Sequence, residues 1–370
     1  MRTILQVQTV QQLMDLIQME GLSPLDFELF KHHAPDVHYV VLDNDQAIAA
    51  YCSLWWNNTP FYPNHQLGLI GHYAAQDAES AHLLLNHACQ ELASRGCTMA
   101  VGPLDGNTWR RYRLLSDRGT EPIFFLEPDN PDEWCDQFRD AGFTPLATYT
   151  SALNKDLSQS DPRLHRAEAR LQEIGVKVRS LNLQDFQQEL QNIHQLSLIS
   201  FRHNFLYTPI EANEFIEQYS RIRPYVQPEL VLMAEHIAVT PSIKTLKNQR
   251  DVGAAPPARG STPAPRSNTS DYGYNNTLVG FLFAIPDLLQ AKRGDRINTV
   301  IIKTVAVLPG RQYAGLGNVL VARVQAIAHQ LGYTRAIHAL MHDANNSRNV
   351  SKHYAHTIRQ YTLYAKELVV

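Results

Sequence analysis

The residues best placed to do chemistry lie at 308–320, Leu-Pro-Gly-Arg-Gln-Tyr-Ala-Gly-Leu-Gly-Asn-Val-Leu. Gly315 and Gly317 join a β-branched run ending in Val305-Ala306-Val307 to an apolar helical run, with no acid between. Such a turn suits an anion, because consecutive backbone N–H groups converge at the positive end of the helix dipole. Two phosphate chemistries fail on residue identity. Gly310 and Gly315 have Walker-loop spacing, but Leu316 and Gly317 stand where the lysine and the magnesium-binding Ser/Thr belong. Gly315 and Gly317 could open a dinucleotide fingerprint, yet Leu320 fills the third glycine position and the next acid is Asp343, too far on for the ribose. A further reading gives the glycines no ligand and only a tight strand-to-helix turn.

Gln312-x-x-Gly315-x-Gly317, behind Val305-Ala306-Val307 and Pro309, resembles the acyl-CoA signature of the GNAT (GCN5-related N-acetyltransferase) superfamily. The resemblance extends over about residues 176–368 and implies acetyl-CoA as co-substrate and an amine-bearing acceptor. It implies a pantetheine arm along Val305, Ala306 and Val307. The pyrophosphate would lie on the turn Gln312, Tyr313, Ala314, Gly315, Leu316, Gly317 and Asn318, with Asn345 or Asn346 downstream. The thiolate would be protonated by Tyr354, with Tyr361 and Tyr364 as rivals. The base is open: many relatives carry Glu before the V-x-V strand, whereas this chain has Lys303-Thr304, leaving Glu235, His236 or a water chain. Acceptor groups are expected at His203, Asn204 and Tyr207. The aromatic-basic run Trp109-Arg110-Arg111-Tyr112-Arg113 adds Trp109 and Arg111, for an anionic acceptor or as cations stacked on rings.

The elements that must hold these residues read off the periodicity. The second half gives helix 161–174, strand 176–181, helices 185–201 and 209–219, strands 229–237, 277–285 and 298–308, helix 315–330, strand 335–342, a short helix at 346–355 and a last strand at 361–368. The first half echoes that order: helix 8–19, hairpin 38–56, strand 67–75, helix 78–95, strand 98–104, helix 132–141 and strand 143–153. The expected class is α/β, a mixed and mostly antiparallel sheet flanked by helices in two tandem GNAT-like units. These are a degenerate copy at 1–157 and a CoA-binding copy at 165–370, with a disordered insertion at 240–276 rich in Pro, Gly, Ser and Asn. The first copy has Asp77 where the phosphate would sit, so it should not bind CoA.

The 370 residues carry a formal charge of −3, so no overall basic character argues for nucleic acid. No apolar run reaches membrane-spanning length. The four cysteines lack C-x-x-C spacing, which predicts free thiols and a cytoplasmic location. His338, His342, His353 and His356 have no completing carboxylate or thiolate at recognised spacing, so no metal site is expected. A homodimer is compatible with the family. A non-catalytic acyl-CoA-binding or scaffolding protein, and an aminoacyl-tRNA-dependent transferase of tandem GNAT fold, are the alternative functions.

Overall fold

Apolar stripes and glycine stops place the elements close to where the periodicity puts them. In the computed structural model the described residues are 2–7, 9, 12, 32–158, 163–237, 276–343 and 355–369. The first half contains β1 (Thr3–Val7), β2 (Val37–Leu42), β3 (Ile48–Trp55), β4 (Leu67–Ala75), α1 (Ala78–Ser94), β5 (Met99–Gly102), β6 (Leu114–Asp117), α2 (Glu133–Asp140) and β7 (Thr144–Asn154). The second contains α3 (Arg163–Glu173), β8 (Val176–Ser180), α4 (Phe186–Ser200), α5 (Ala212–Ser220), β9 (Val231–Ile237), β10 (Asn276–Pro286), α6 (Leu288–Lys292), β11 (Thr299–Val307), α7 (Leu316–Gln330), β12 (Arg335–His342) and β13 (His356–Glu367). The helix expected at 8–19, the insertion at 240–276 and the helix at 346–355 lie largely or wholly outside the described residues.

One continuous mixed sheet runs β1-β2-β3-β4-β5-β13-β7-β12-β11-β10-β9-β8, with β6 on the side of β13. Only β4–β5 and β11–β12 are parallel. Their crossover helices, α1 and α7, bury apolar stripes at helical spacing, for example Leu316, Val319, Leu320, Val324 and Ala328 on α7. Truncating a fully buried leucine such as Leu320 to alanine costs about 2–5 kcal/mol. Gly332, at φ +91°, stops α7, with its N–H donating to the His329 carbonyl.

The two halves exchange strands. β7 of the first half pairs with β12 of the second, while β13 pairs with β5 of the first, and the two exchanged strands pair with each other. Periodicity reports which residues face a core, not which strand lies alongside. Ala147, Tyr149, Ser151 and Leu153 alternate along one face of β7; Ala147 and Tyr149 join a core cluster shared by both halves, with Leu69 and Val101 beside Tyr361 and Leu363, and Leu153 joins the core under the second half. The exchange thus makes a single apolar floor beneath the place where the halves meet.

Candidate active site

β11 and β12 run in register from Thr299–Arg335 to Ile302–His338 and no further. On its other side β11 stays paired with β10 as far as Val307–Gly280. Two irregularities separate the central strands. The β10–β11 register steps from Phe283–Thr304 to Ala284–Ile302, bulging β11 at Lys303. Leu340 on β12 takes a left-handed φ of +60°, its N–H donating to Ser151 Oγ at 3.0 Å. The backbone of Val305, Ala306 and Val307 therefore faces a wedge in which no strand pairs with it among the described residues. An extended ligand with amide groups can complete that edge as a strand would.

Beyond the wedge, a 3-10 turn (Arg311–Tyr313) leads to Gly315, which caps α7 at φ +84°, ψ −8°, with no side-chain cap. The first helical bond runs from Val319 N–H to the Gly315 carbonyl, so the N–H groups of Leu316, Gly317 and Asn318 have no partner within the helix. Gly315 needs its left-handed backbone. Gly317 does not: it serves by leaving space, since a Cβ there would point at Val305 Cγ1 and Val307 Cγ2, 3.7 and 3.8 Å away. Gln312, Ala314, Gly315 and Asn318 are exposed, whereas the Tyr313 ring is buried with its hydroxyl 2.8 Å from His236 Nδ1. Arg170 on α3 donates to the Gln312 carbonyl at 3.3 Å and to the Ala314 carbonyl, which braces the turn and adds a cation beside it. Sequence reasoning missed Arg170, because one exposed helical arginine carries no local signal linking it to a turn far along the chain.

The remaining expected residues separate into groups. Trp109 and Tyr207 come together with Phe201 and Phe215, the indole Nε1 donating to the Thr208 carbonyl at 2.7 Å. Trp109, Phe201 and Phe215, with Phe186, Phe281 and Thr304 of β11, line an apolar pocket under α4 and α5, and Tyr207 lies outside it. His203 and Asn204 are exposed on the adjoining turn. Arg111 points back into the first half, 3.4 Å from Asp105. Glu235 lies on β9, two strands from β11, where its Oε1 accepts from Arg179 at 2.6 and 2.8 Å. Tyr354, Asn345 and Asn346 lie outside the described residues. The rival Tyr361 is buried, its hydroxyl donating to Glu127, and Tyr364 belongs to the core of the first half.

Charged groups not anticipated from the sequence surround the bulge. The Lys303 ammonium donates to the Leu126 carbonyl at 2.6 Å; burial, then the Arg113 cation, pull it down to about 7, partly offset by Glu127. Glu127 accepts from Arg359 at 3.0 Å and from the Phe124 N–H at 3.1 Å, yet burial holds its carboxyl above the ordinary range.

The first half repeats this geometry with the wedge filled. β4 and β5 pair from Leu67–Met99 to Leu69–Val101, and β4 then bulges at His72 and Tyr73. There the chain occupies its own opening: Leu104 N–H donates to the Ile70 carbonyl at 2.9 Å and His72 N–H to Asp105 Oδ1 at 2.6 Å. Asp77 caps α1, accepting from Ser80 N–H and pairing with Arg2. His38, Ser53, His72 and His33 form a chain of contacts of 2.6–2.8 Å. His33, His72 and Asp105 bring ligand-type atoms within 4.8 Å of one another, but the nearby Arg110 and Arg111 cations oppose a metal ion.

A parallel strand pair splayed by a bulge, with a glycine-capped helix at its mouth, decides the architecture when set beside solved structures. The fold is that of the GCN5-related N-acetyltransferases. Among similar structures is the GCN5-related glucosamine N-acetyltransferase region of a fungal multi-domain β-N-acetylglucosaminidase, at 13% identity and TM-score 0.51, spanning 99% of this chain and 38% of that one. Another is a conserved protein of unknown function from Enterococcus faecalis, named there as a probable N-acyltransferase, at 10% identity and TM-score 0.51, spanning 100% and 73%. At these identities the likeness is one of fold. No protein-family model and no curated protein matches the sequence. A parallel strand pair joined through a crossover helix occurs once in each half, and among the described residues no helix is long and apolar enough to cross a membrane.

Proposed function

We propose that the protein is an acyl-CoA-dependent N-acyltransferase of the cytoplasm, using acetyl-CoA and an amine acceptor, with its CoA site in the 165–370 unit and a degenerate unit at 1–157. The open wedge of β11, leading straight to the uncapped N-terminus of α7, carries this reading. The pantetheine amides add to the backbone of Val305–Val307, and the pyrophosphate accepts from the N–H groups of Leu316, Gly317 and Asn318. The thioester carbonyl then lies near the bulge, where backbone N–H groups stabilise its developing oxyanion. The acceptor amine attacks that carbonyl, the C–S bond breaks, and CoA leaves as a thiolate that takes up a proton, for which Tyr354 is the candidate donor. Lys303, held near neutrality at the bulge, is better placed than the salt-bridged Glu235 to accept the proton of the attacking amine.

Calorimetric titration with acetyl-CoA tests the reading. Wild type should bind in the micromolar range, and the Gly315→Asp/Gly317→Asp variant should lose at least about 100-fold, since it puts two carboxylates at the phosphate position. Absence of binding to wild type would overturn it.

A further inference from the structure

Arg113 is a buried cation, 7% exposed, with no carboxylate in ion-pair range among the described residues. Its Nε is enclosed and makes no hydrogen bond, and its terminal nitrogens meet only tyrosine hydroxyls, those of Tyr112 and Tyr149. The guanidinium lies 4.0, 4.3 and 5.9 Å from the ring centres of Tyr112, Tyr149 and Tyr361. Cation–π contact returns part of the cost of desolvation, but a buried charge without a counter-ion remains unfavourable. The backbone adds to that cost: Arg113 sits at φ +65°, a conformation that non-glycine residues keep mainly where the site demands it.

The position of this charge shows what it is for. The Tyr149 ring it covers lies 4.9 Å, centre to centre, from the His342 ring of β12, so the charge sits beside β12 at the mouth of the wedge. Glu127, the acid that offsets it at Lys303, is committed to Arg359, Tyr361 and the Phe124 N–H. Tyr112, Phe205, Leu340 and His342 around it are partly exposed, which leaves a way in. The N-terminus of α7 lies beyond Val307, and the run from Lys303 to Val307 alone is about 13 Å at about 3.3 Å per residue. One anion cannot serve both places.

We infer that Arg113 binds a carboxylate of the acceptor, so that the substrate class is an amine that also bears a carboxylate, held with its amine toward the bulge at Lys303. This rests on the acyltransferase reading for the word acceptor, while the anion site itself can be tested without turnover. The test is thermal unfolding of the full chain in about 0.2 M sodium acetate against sodium chloride at equal ionic strength. Wild type should gain about 2 °C in acetate. Arg113→Met should show no acetate shift and, in chloride, melt at or above wild type, because it removes an unpaired buried charge while keeping most of the volume. Arg113→Lys should keep part of the shift.

An equal acetate effect in wild type and Arg113→Met, or none in wild type, would overturn the inference, as would a large loss of stability in Arg113→Met in chloride. Acetyl-CoA affinity, measured in parallel, should be unchanged by Arg113→Met. A tenfold fall would put the anion on the nucleotide and overturn the acceptor assignment. If wild type binds acetate through Arg113 but not acetyl-CoA, the acyltransferase reading fails and the anion site stands.

Discussion

The two wedges of the sheet start from the same geometry and end in opposite states. Each follows a short parallel pairing, each has a bulge carrying a titratable residue, His72 or Lys303, and each is followed by a crossover helix. In the first half the segment after β5 folds back into the opening and an aspartate caps the helix, so its backbone donors are satisfied internally. In the second half the strand edge and the helix terminus carry no such plug among the described residues. The difference teaches that the same strand order can leave an edge open or fill it with the chain's own backbone.

The sharpest way to break the comparison is one methyl group. A Cβ at Gly71 would come within 2.4 Å of the Leu104 carbonyl oxygen, a backbone atom that cannot step aside. Gly71→Ala should therefore cost about 3 kcal/mol or more in chemical denaturation, as overpacking against fixed backbone does. Gly317→Ala, where the same atom has ordinary contacts, should be neutral or stabilising by up to about 1 kcal/mol. Equal costs at the two glycines would mean that the second wedge is also closed.

Acid should come next in size. Burial, then the Arg110 cation, lowers His33 to about 3; burial lowers His38 to about 4; and burial, then Arg111, holds His72 well below its ordinary value. The unfolded chain takes up these protons near 6.5 while the folded chain refuses them. Stability should thus fall as pH drops below about 6.5, by at most about 1.4 kcal/mol per pH unit for each histidine. Amide exchange at pH 5.5 should show α1 and β2–β4 opening before β9–β11.

The smallest effect has the same direction in another window. Lys303 is held down to about 7, so between about 7 and 10.5 the unfolded chain carries the extra proton. Stability should rise through that window by less than about 2 kcal/mol, reduced by the half-exposed setting of the side chain. Lys303→Met should flatten the rise, which a denaturation series from pH 6 to 9 would measure.

Much of the fold was legible because its signals are local. The stripe of α7, the Asp43-Asn44-Asp45 turn and the glycine that caps α7 each declare themselves within a few residues. The site was less legible. Glu127 and Arg113 come from the first half and Arg170 from a helix far back along the second, and no spacing rule connects them to residues 303–318. Lys303 looked like a loss when set against the glutamate of many relatives, because its surroundings, not its type, set its proton affinity. Arg113 lay inside the aromatic-basic run, but the sequence could not say that Arg111 would find Asp105 and Arg113 would find no acid.

The exchanged strands bear on how the chain can be made. β13 follows every other described strand of the sheet in sequence, and it lies between β5 and β7 at the middle of the sheet. Until it arrives, β5 lacks its inner neighbour and β7 pairs only with a strand from the other half, so neither half can finish as the ribosome delivers it. Sequence separations of more than two hundred residues between paired strands, as in β5–β13, raise the contact order and slow the final step. Cutting the chain near residue 160 should therefore leave two fragments with raw strand edges that complement each other when mixed, rather than two freestanding enzymes.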